Sequence, residues 1–212
     1  MNIKRYIATI ILAIVLLLNF SCTDWLDVKP VDRMSEDQLY STEAGFRQAL
    51  NGIYVELNHA DLYGDELLVN TVEILAQRYK FSSMGTLTNQ YHLAEFDYTT
   101  DYAKKCGSRI WEKAYALIAN VNKLLKNADS HKDLFTGDSY DLITGEAYAL
   151  RAFLHFDLLR LFGPVYKTHK EDKSICYNTQ FSLSGSDLLP ASKVMEYVIA
   201  DLKEAEDRLA KD

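Results

Sequence analysis

The sequence predicts an all-α protein built from long helices, and three observations carry that expectation. Only 9 Gly and 3 Pro occur in 212 residues, too few for a turn-dense β sandwich. Apolar residues recur at helical spacing in several long segments. Hydrophobic residues make up 48% and charged residues 25%, which is ordinary globular composition rather than disorder.

The first 22 residues set the compartment. Lys4 and Arg5 precede the apolar run from Ile7 to Leu18, and Asn19-Phe20-Ser21-Cys22 follows. A basic head, a short apolar run and a small residue before the cut predict a signal peptide over residues 1–21. The run is shorter than the roughly 20 apolar residues that span a bilayer, and Asp24 follows at once. Cys22 after Ser21 predicts lipidation of that thiol, although a lipobox usually has Leu where Asn19 stands. Plain cleavage leaving a free Cys22 is the alternative. Removing residues 1–21 takes two positive charges from a net −7 and leaves −9. Such an acidic chain is not held to an anionic leaflet by its own charge, so acyl chains must anchor it. The same acidity argues against nucleic acid as a partner.

Residues 22–34 read as a lipidated tether and 35–212 as a helical domain. Ser35-Glu36-Asp37-Gln38 fits a capping box opening a short helical turn. Phe46, Ala49, Leu50, Ile53 and Leu57 then form a helical stripe. A second helix is expected over about 65–80, on Leu68, Val72, Leu75 and Tyr79. Residues 81–100 abound in Ser, Thr and Asn and predict a long loop. Helix returns over about 103–127, with Trp111, Tyr115, Ile118 and Leu125 aligned. Asn122 interrupts that stripe, and a buried amide needs partners, so it is expected to fasten a neighbouring backbone segment.

The helix over about 140–162 differs in kind. Ala147, Leu150, Leu154, Leu158 and Leu161 form one stripe, Phe153 and Phe156 a second, Tyr148 and Phe162 a third, which predicts a central helix buried on several sides. Arg151 beside the main stripe requires a carboxylate or several carbonyls. Gly163-Pro164 ends the helix, and residues 164–190 predict a second irregular stretch. The last helix, about 192–209, carries Val194, Met195, Val198, Leu202, Ala205 and Leu209. Pairing first with second and third with fourth leaves this fifth helix without a mate. The lengths fit tetratricopeptide-like stacked helical hairpins with long irregular loops. Cys106 and Cys176 either pair in an oxidising compartment or remain two thiols.

Several stretches together resemble the SusD/RagB family: Cys22-Thr-Asp-Trp-Leu-Asp-Val-Lys-Pro30, Thr42-Glu-Ala-Gly-Phe-Arg-Gln-Ala-Leu-Asn-Gly-Ile-Tyr54, and Trp111-x3-Tyr115-x2-Ile118-x3-Asn122-x2-Leu125. The strongest is Gly145-Glu-Ala-Tyr-Ala-Leu-Arg-Ala-Phe-Leu-His-Phe-Asp-Leu-Leu-Arg-Leu-Phe-Gly163, followed by Val194-x3-Val198-x2-Asp201-Leu-Lys-Glu-Ala205. The family usually follows its glycine with an acidic residue, Val and Pro, whereas Gly163-Pro164-Val165-Tyr166 stands here. Members are usually more than twice this length, so the resemblance implies a fragment, a truncated gene product or a short relative.

The resemblance implies a non-catalytic lipoprotein, anchored at the outer-membrane surface, that passes oligosaccharide or another nutrient to a SusC-like TonB-dependent transporter. The alternatives are a lipid-anchored tetratricopeptide-type scaffold and a non-functional fragment. No catalytic, cofactor or metal pattern occurs: the five His are dispersed, without a second ligand at helical spacing. Glu66 and Glu73 read as solvated surface rather than a carboxylate pair, and Gly185 as turn chemistry. The best binding candidate is the 81–100 segment. Phe81, Tyr91, Phe96 and Tyr98 offer ring faces, with Asn89, Gln90 and His92 as hydrogen-bonding neighbours. The alternative is that these aromatics pin the loop to the core.

Overall fold

The structure, a computed structural model, describes residues 35–81, 85, 87–181 and 186–211. The expected signal peptide, Cys22 and the tether up to residue 34 lie outside the described residues, as does Gly185.

The regular elements among the described residues are helical: α1 (Glu36–Leu39), α2 (Glu43–Leu57), α3 (Thr71–Leu75), α4 (Thr88–Ala94), α5 (Asp101–Ser130), α6 (Ser139–Phe162), α7 (Tyr166–His169) and α8 (Ala191–Leu209). Local chemistry sets the ends. The Thr42 hydroxyl accepts from the Gly45 N–H (3.2 Å) to start α2, and Thr100 accepts from Ala103 (3.3 Å) to start α5. Helix α1 is a single turn that begins at Glu36, where the sequence predicts a short helical turn.

Paired contacts along the helices give the topology. Tyr140 donates to Asp129 (2.6 Å) at one end of the α5–α6 hairpin, and Trp111 meets Phe162 edge-on (5.1 Å) at the other. These two helices are therefore antiparallel. Helix α2 also runs against α5, with Phe46 near His131 and Glu56 paired to Lys113. It runs with α6, where Arg47 donates to Ser139 and Tyr54 to Glu146 (2.7 Å). Helix α8 lies antiparallel on α6, with Arg208 on Thr144 (2.8 Å) and Asp201 on Arg151. Stacked helical hairpins of the tetratricopeptide type result.

Helix α6 touches all three other long helices, which is why apolar residues occur on several of its sides. Its first half and α2 enclose Phe46, Leu50, Ile53, Leu124 and Ala147. Its second half, with α5 and α8, encloses Ile110, Ile118, Leu154, Leu158, Val194 and Val198. Each Val, Leu, Ile or Phe among them contributes about 1.5–3 kcal/mol of burial free energy. The all-round burial is incomplete, however: Phe153 and Phe156 remain 44% and 38% exposed. Phe153 instead stacks on Tyr63 (5.1 Å).

Four expectations require correction. First, helix over 65–80 is confined to α3. The Asp65 carbonyl accepts from Leu68, Val69 and Asn70, winding the preceding stretch into tight turns. Beyond α3, Gln77 takes a left-handed φ of 59° that ends the helix. Leu68 and Tyr79 of the expected stripe are consequently exposed, and Ile74 is buried instead. Second, the 81–100 segment contains helix α4, because Leu93 and Ala94 bury against Ile74 and Ala103. Packing selects a helix that a Ser/Thr/Asn-rich composition disguised. Third, α8 is not without a mate, since α6 covers its Val194, Val198 and Ala205 stripe; α2, in turn, pairs with α5 rather than with a 65–80 helix. Fourth, Glu66 is only 2% exposed and accepts from Thr71 and Arg109. It closes the turns below α3.

The irregular segment after α7 is fastened by side chains from three helices. Tyr115 donates to the Cys176 carbonyl (2.8 Å), and Asn122 to that of Asn178 (2.9 Å). The Asn178 N–H donates to His155 Nε2 (3.0 Å), while His155 Nδ1 faces the Arg151 carbonyl (2.8 Å). Arg151 grips Asp201 through two hydrogen bonds, Nε to Oδ2 (2.6 Å) and Nη2 to Oδ1 (2.7 Å), and adds Asn122 Oδ1 (2.9 Å). Tyr177 donates to the same Asp201 carboxylate (2.6 Å). Asn122 thus performs the fastening expected of it, and Asp201 is the carboxylate Arg151 required. Cys106 and Cys176 are free thiols.

Candidate functional site

The segment singled out by composition forms a ledge between α3 and the start of α5. The Gln77 side chain donates to the Ala94 carbonyl (2.6 Å), tying the end of α3 to the end of α4. Phe96 follows with a left-handed φ of 58° although its ring is 52% exposed. A bulky residue held there costs about 1–3 kcal/mol, and its own exposed ring offsets little of that. The conformation turns the chain sharply so that Asp97 reaches forward. Its carboxylate accepts from the Thr99 N–H (3.0 Å) and hydroxyl (2.6 Å), and these hydrogen bonds hold its pKa below the usual carboxylate value. Tyr98 sits between this turn and the Thr100 cap of α5, a fixed backbone presenting a ring 57% exposed.

The other predicted site residues divide into groups. Tyr91 and His92 meet edge-on (5.7 Å) on α4, half-buried, and His92 Nδ1 lies 3.6 Å from Asp97. Asn89 is exposed on the same helix. Phe81 packs on the small core of Ile74, Leu93, Ala94 and Ala103, with its ring edge-on to Tyr79 (6.0 Å). For Phe81 the pinning role therefore holds, whereas Tyr98 faces outward.

Tyr98 also forms one edge of a cleft of about 300 Å³ that reaches toward the ends of α5 and α6. Leu75, Leu93, Ile110, Leu161 and Phe162 line it, with Gly107, Cys106 and Lys104 along α5. Sequence reasoning missed this cleft because its walls come from four separated helices. Gly107, a glycine inside the longest helix, was the local signal: a Cβ there meets only Phe162 within 4 Å (3.6 Å) and otherwise opens on space. Among the described residues no cluster of three His, Cys, Asp or Glu is placed to hold a metal, and no helix is long and apolar enough to cross a membrane.

A family model for SusD-like proteins, described as starch-binding and associating with the outer membrane, matches residues 24–212. The chain belongs to the SusD-like family. SusD-like protein P2 of Formosa agariphila is 27% identical over 208 residues, covering 97% of this chain and 38% of that protein. SusD-like protein P25 of the same organism is 27% identical over 148 residues, 68% of this chain and 28% of its own length. The chain therefore spans between 28% and 38% of the length of these curated relatives.

Two solved structures share the SusD fold. A SusD superfamily protein from Bacteroides fragilis superposes with a TM-score of 0.65 at 18% identity, over 78% of this chain and 39% of that one. A SusD-like carbohydrate binding protein from Bacteroides vulgatus gives 0.61 at 21% identity, over 77% and 35%. The helical stack described above is thus the part of the SusD fold that this chain supplies.

Proposed function

We propose that this SusD-like chain acts as a non-catalytic glycan- or nutrient-binding component of a SusC/SusD-type uptake system. In this reading Cys22 carries the lipid anchor after removal of residues 1–21, and the helical domain stands on a short tether at the outer-membrane surface. A SusC-like TonB-dependent transporter receives the cargo. Family membership along residues 24–212 carries the proposal, and the exposed ring of Tyr98 supports it locally. Aromatic rings with a polar tip suit stacking on sugar faces with hydrogen bonds at the edge.

Titration with maltoheptaose, by calorimetry or affinity electrophoresis, tests the binding role. Replacing Tyr91 and Tyr98 together by Ala is expected to weaken binding about tenfold or more with unchanged helical circular dichroism. Unchanged affinity removes the ledge as the sugar site. Mass spectrometry of the mature N-terminus tests the anchor, since an unmodified Cys22 rules it out. Co-purification of a SusC-like transporter from membranes tests the partner.

A further inference from the structure

The floor of the cleft beside Tyr98 is poorly suited to sugar. Leu75, Leu93, Ile110, Leu161 and Phe162 offer no hydrogen-bonding groups, and Thr71, the hydroxyl among the lining residues, already donates to Glu66; a sugar hydroxyl buried without a partner costs about 1–3 kcal/mol. A glycan can stack on the exposed ring of Tyr98 but finds few hydrogen-bonding partners on entering. The volume is real, however: about 300 Å³, against roughly 150 Å³ for an apolar cavity that accommodates benzene.

Lys104 is the one charged side chain among the residues that line the cleft. Lys104 lies along the α5 wall and makes no ion pair among the described residues. Asp97, whose charge reaches Lys104, is already engaged by Thr99 and His92. Arg109, one turn further along α5, is engaged by Glu66 and Asp61.

We infer that this cleft binds a small organic anion with an apolar body, of the alkyl- or aryl-carboxylate class, with its carboxylate at Lys104 and its body against Phe162 and Ile110. The inference goes beyond the glycan reading and does not depend on it: Tyr98 borders both places, but Lys104, Ile110 and Phe162 have no part in the glycan reading.

Octanoate is the probe. In a Trp25→Phe variant, Trp111 is the remaining indole; it packs edge-on to Phe162 at 5.1 Å and so reports on the cleft. Octanoate is expected to change its emission saturably, and the neutral octanol to bind about two- to fivefold more weakly, the scale of one exposed ion pair. Lys104→Gln should bring octanoate to the octanol level. Gly107→Leu should fill the cleft and lower octanoate affinity at least about tenfold, while maltoheptaose binding stays as in the parent.

Absence of saturable binding, equal affinity for octanoate and octanol, or unchanged affinity in Gly107→Leu overturns the inference. Should Gly107→Leu lose its helical circular dichroism, the parent protein decides. Octanoate must then raise the parent's unfolding midpoint in a saturable, concentration-dependent way, and an unchanged midpoint overturns the inference equally.

Discussion

Replacement of Asp201 by Ala removes the carboxylate that accepts two hydrogen bonds from Arg151 and one from Tyr177. The side chains of Arg151 and Asp201 are only 7% and 11% exposed, so water cannot readily take the place of the missing oxygens. Burial alone would lower the Arg151 pKa, yet the Asp201 carboxylate more than offsets it and raises the value, so the guanidinium stays charged. Stranding such a charge costs about 3–5 kcal/mol. With a urea dependence of about 2 kcal/mol per M, the unfolding midpoint should fall by roughly 2 M. Arg151→Met in the Asp201→Ala background removes the stranded charge, so the double variant should lose less than the sum of the two single losses. Strict additivity, or a loss below about 1 kcal/mol for Asp201→Ala, would refute the view that this pair is a coupled, desolvated unit.

Three further outcomes follow from the same geometry. His155, fully buried, has its pKa lowered to about 4, chiefly by burial and further by the Arg151 charge. The unfolded chain therefore binds the extra proton between the ordinary value of about 6.5 and about 4, and stability falls as pH falls through that window, by about 3 kcal/mol in all. Urea midpoints at pH 7 and pH 4.5 check this, and a His155→Phe variant should lose most of the slope. Gly145→Ala should destabilise by about 1 kcal/mol, because its Cβ would lie 2.9 Å from Leu209 Cγ and press α8 off α6. Gly107→Ala should instead stabilise by about 0.5–1 kcal/mol, since it meets only Phe162 at ordinary contact distance and improves helix propensity. Paired thermal melts test whether the same substitution has these opposite signs in α6 and α5.

The four long helices were legible because each carries an amphipathic or all-apolar pattern longer than ten residues. The need for partners at Arg151 and Asn122 was legible too, since a polar group within an apolar stripe has to be satisfied. Which partner could not be read: Asp201 lies 50 positions away, on a helix whose spacing showed Val194, Val198 and Ala205 but disguised a buried carboxylate. The 58–100 region was the least legible. There the chain is shaped by backbone turns around the Asp65 carbonyl, a buried Glu66, and left-handed Gln77 and Phe96, none of which has a periodic signature. The ring of Tyr98 was singled out by composition, but the cleft beside it depends on Leu161 and Phe162 arriving from a distant helix.

The segment at residues 174–179 illustrates what tertiary fastening implies for the order of assembly. Its anchoring groups, on Tyr115, Asn122, His155 and Asp201, are scattered over three helices and come within reach together only after those helices have docked. Closing so many long loops at once is entropically unfavourable for an unassembled chain. This stretch is therefore expected to settle last, as a keystone does, with the Asn178 amide, held by His155, gaining protection only after the three supporting helices have met.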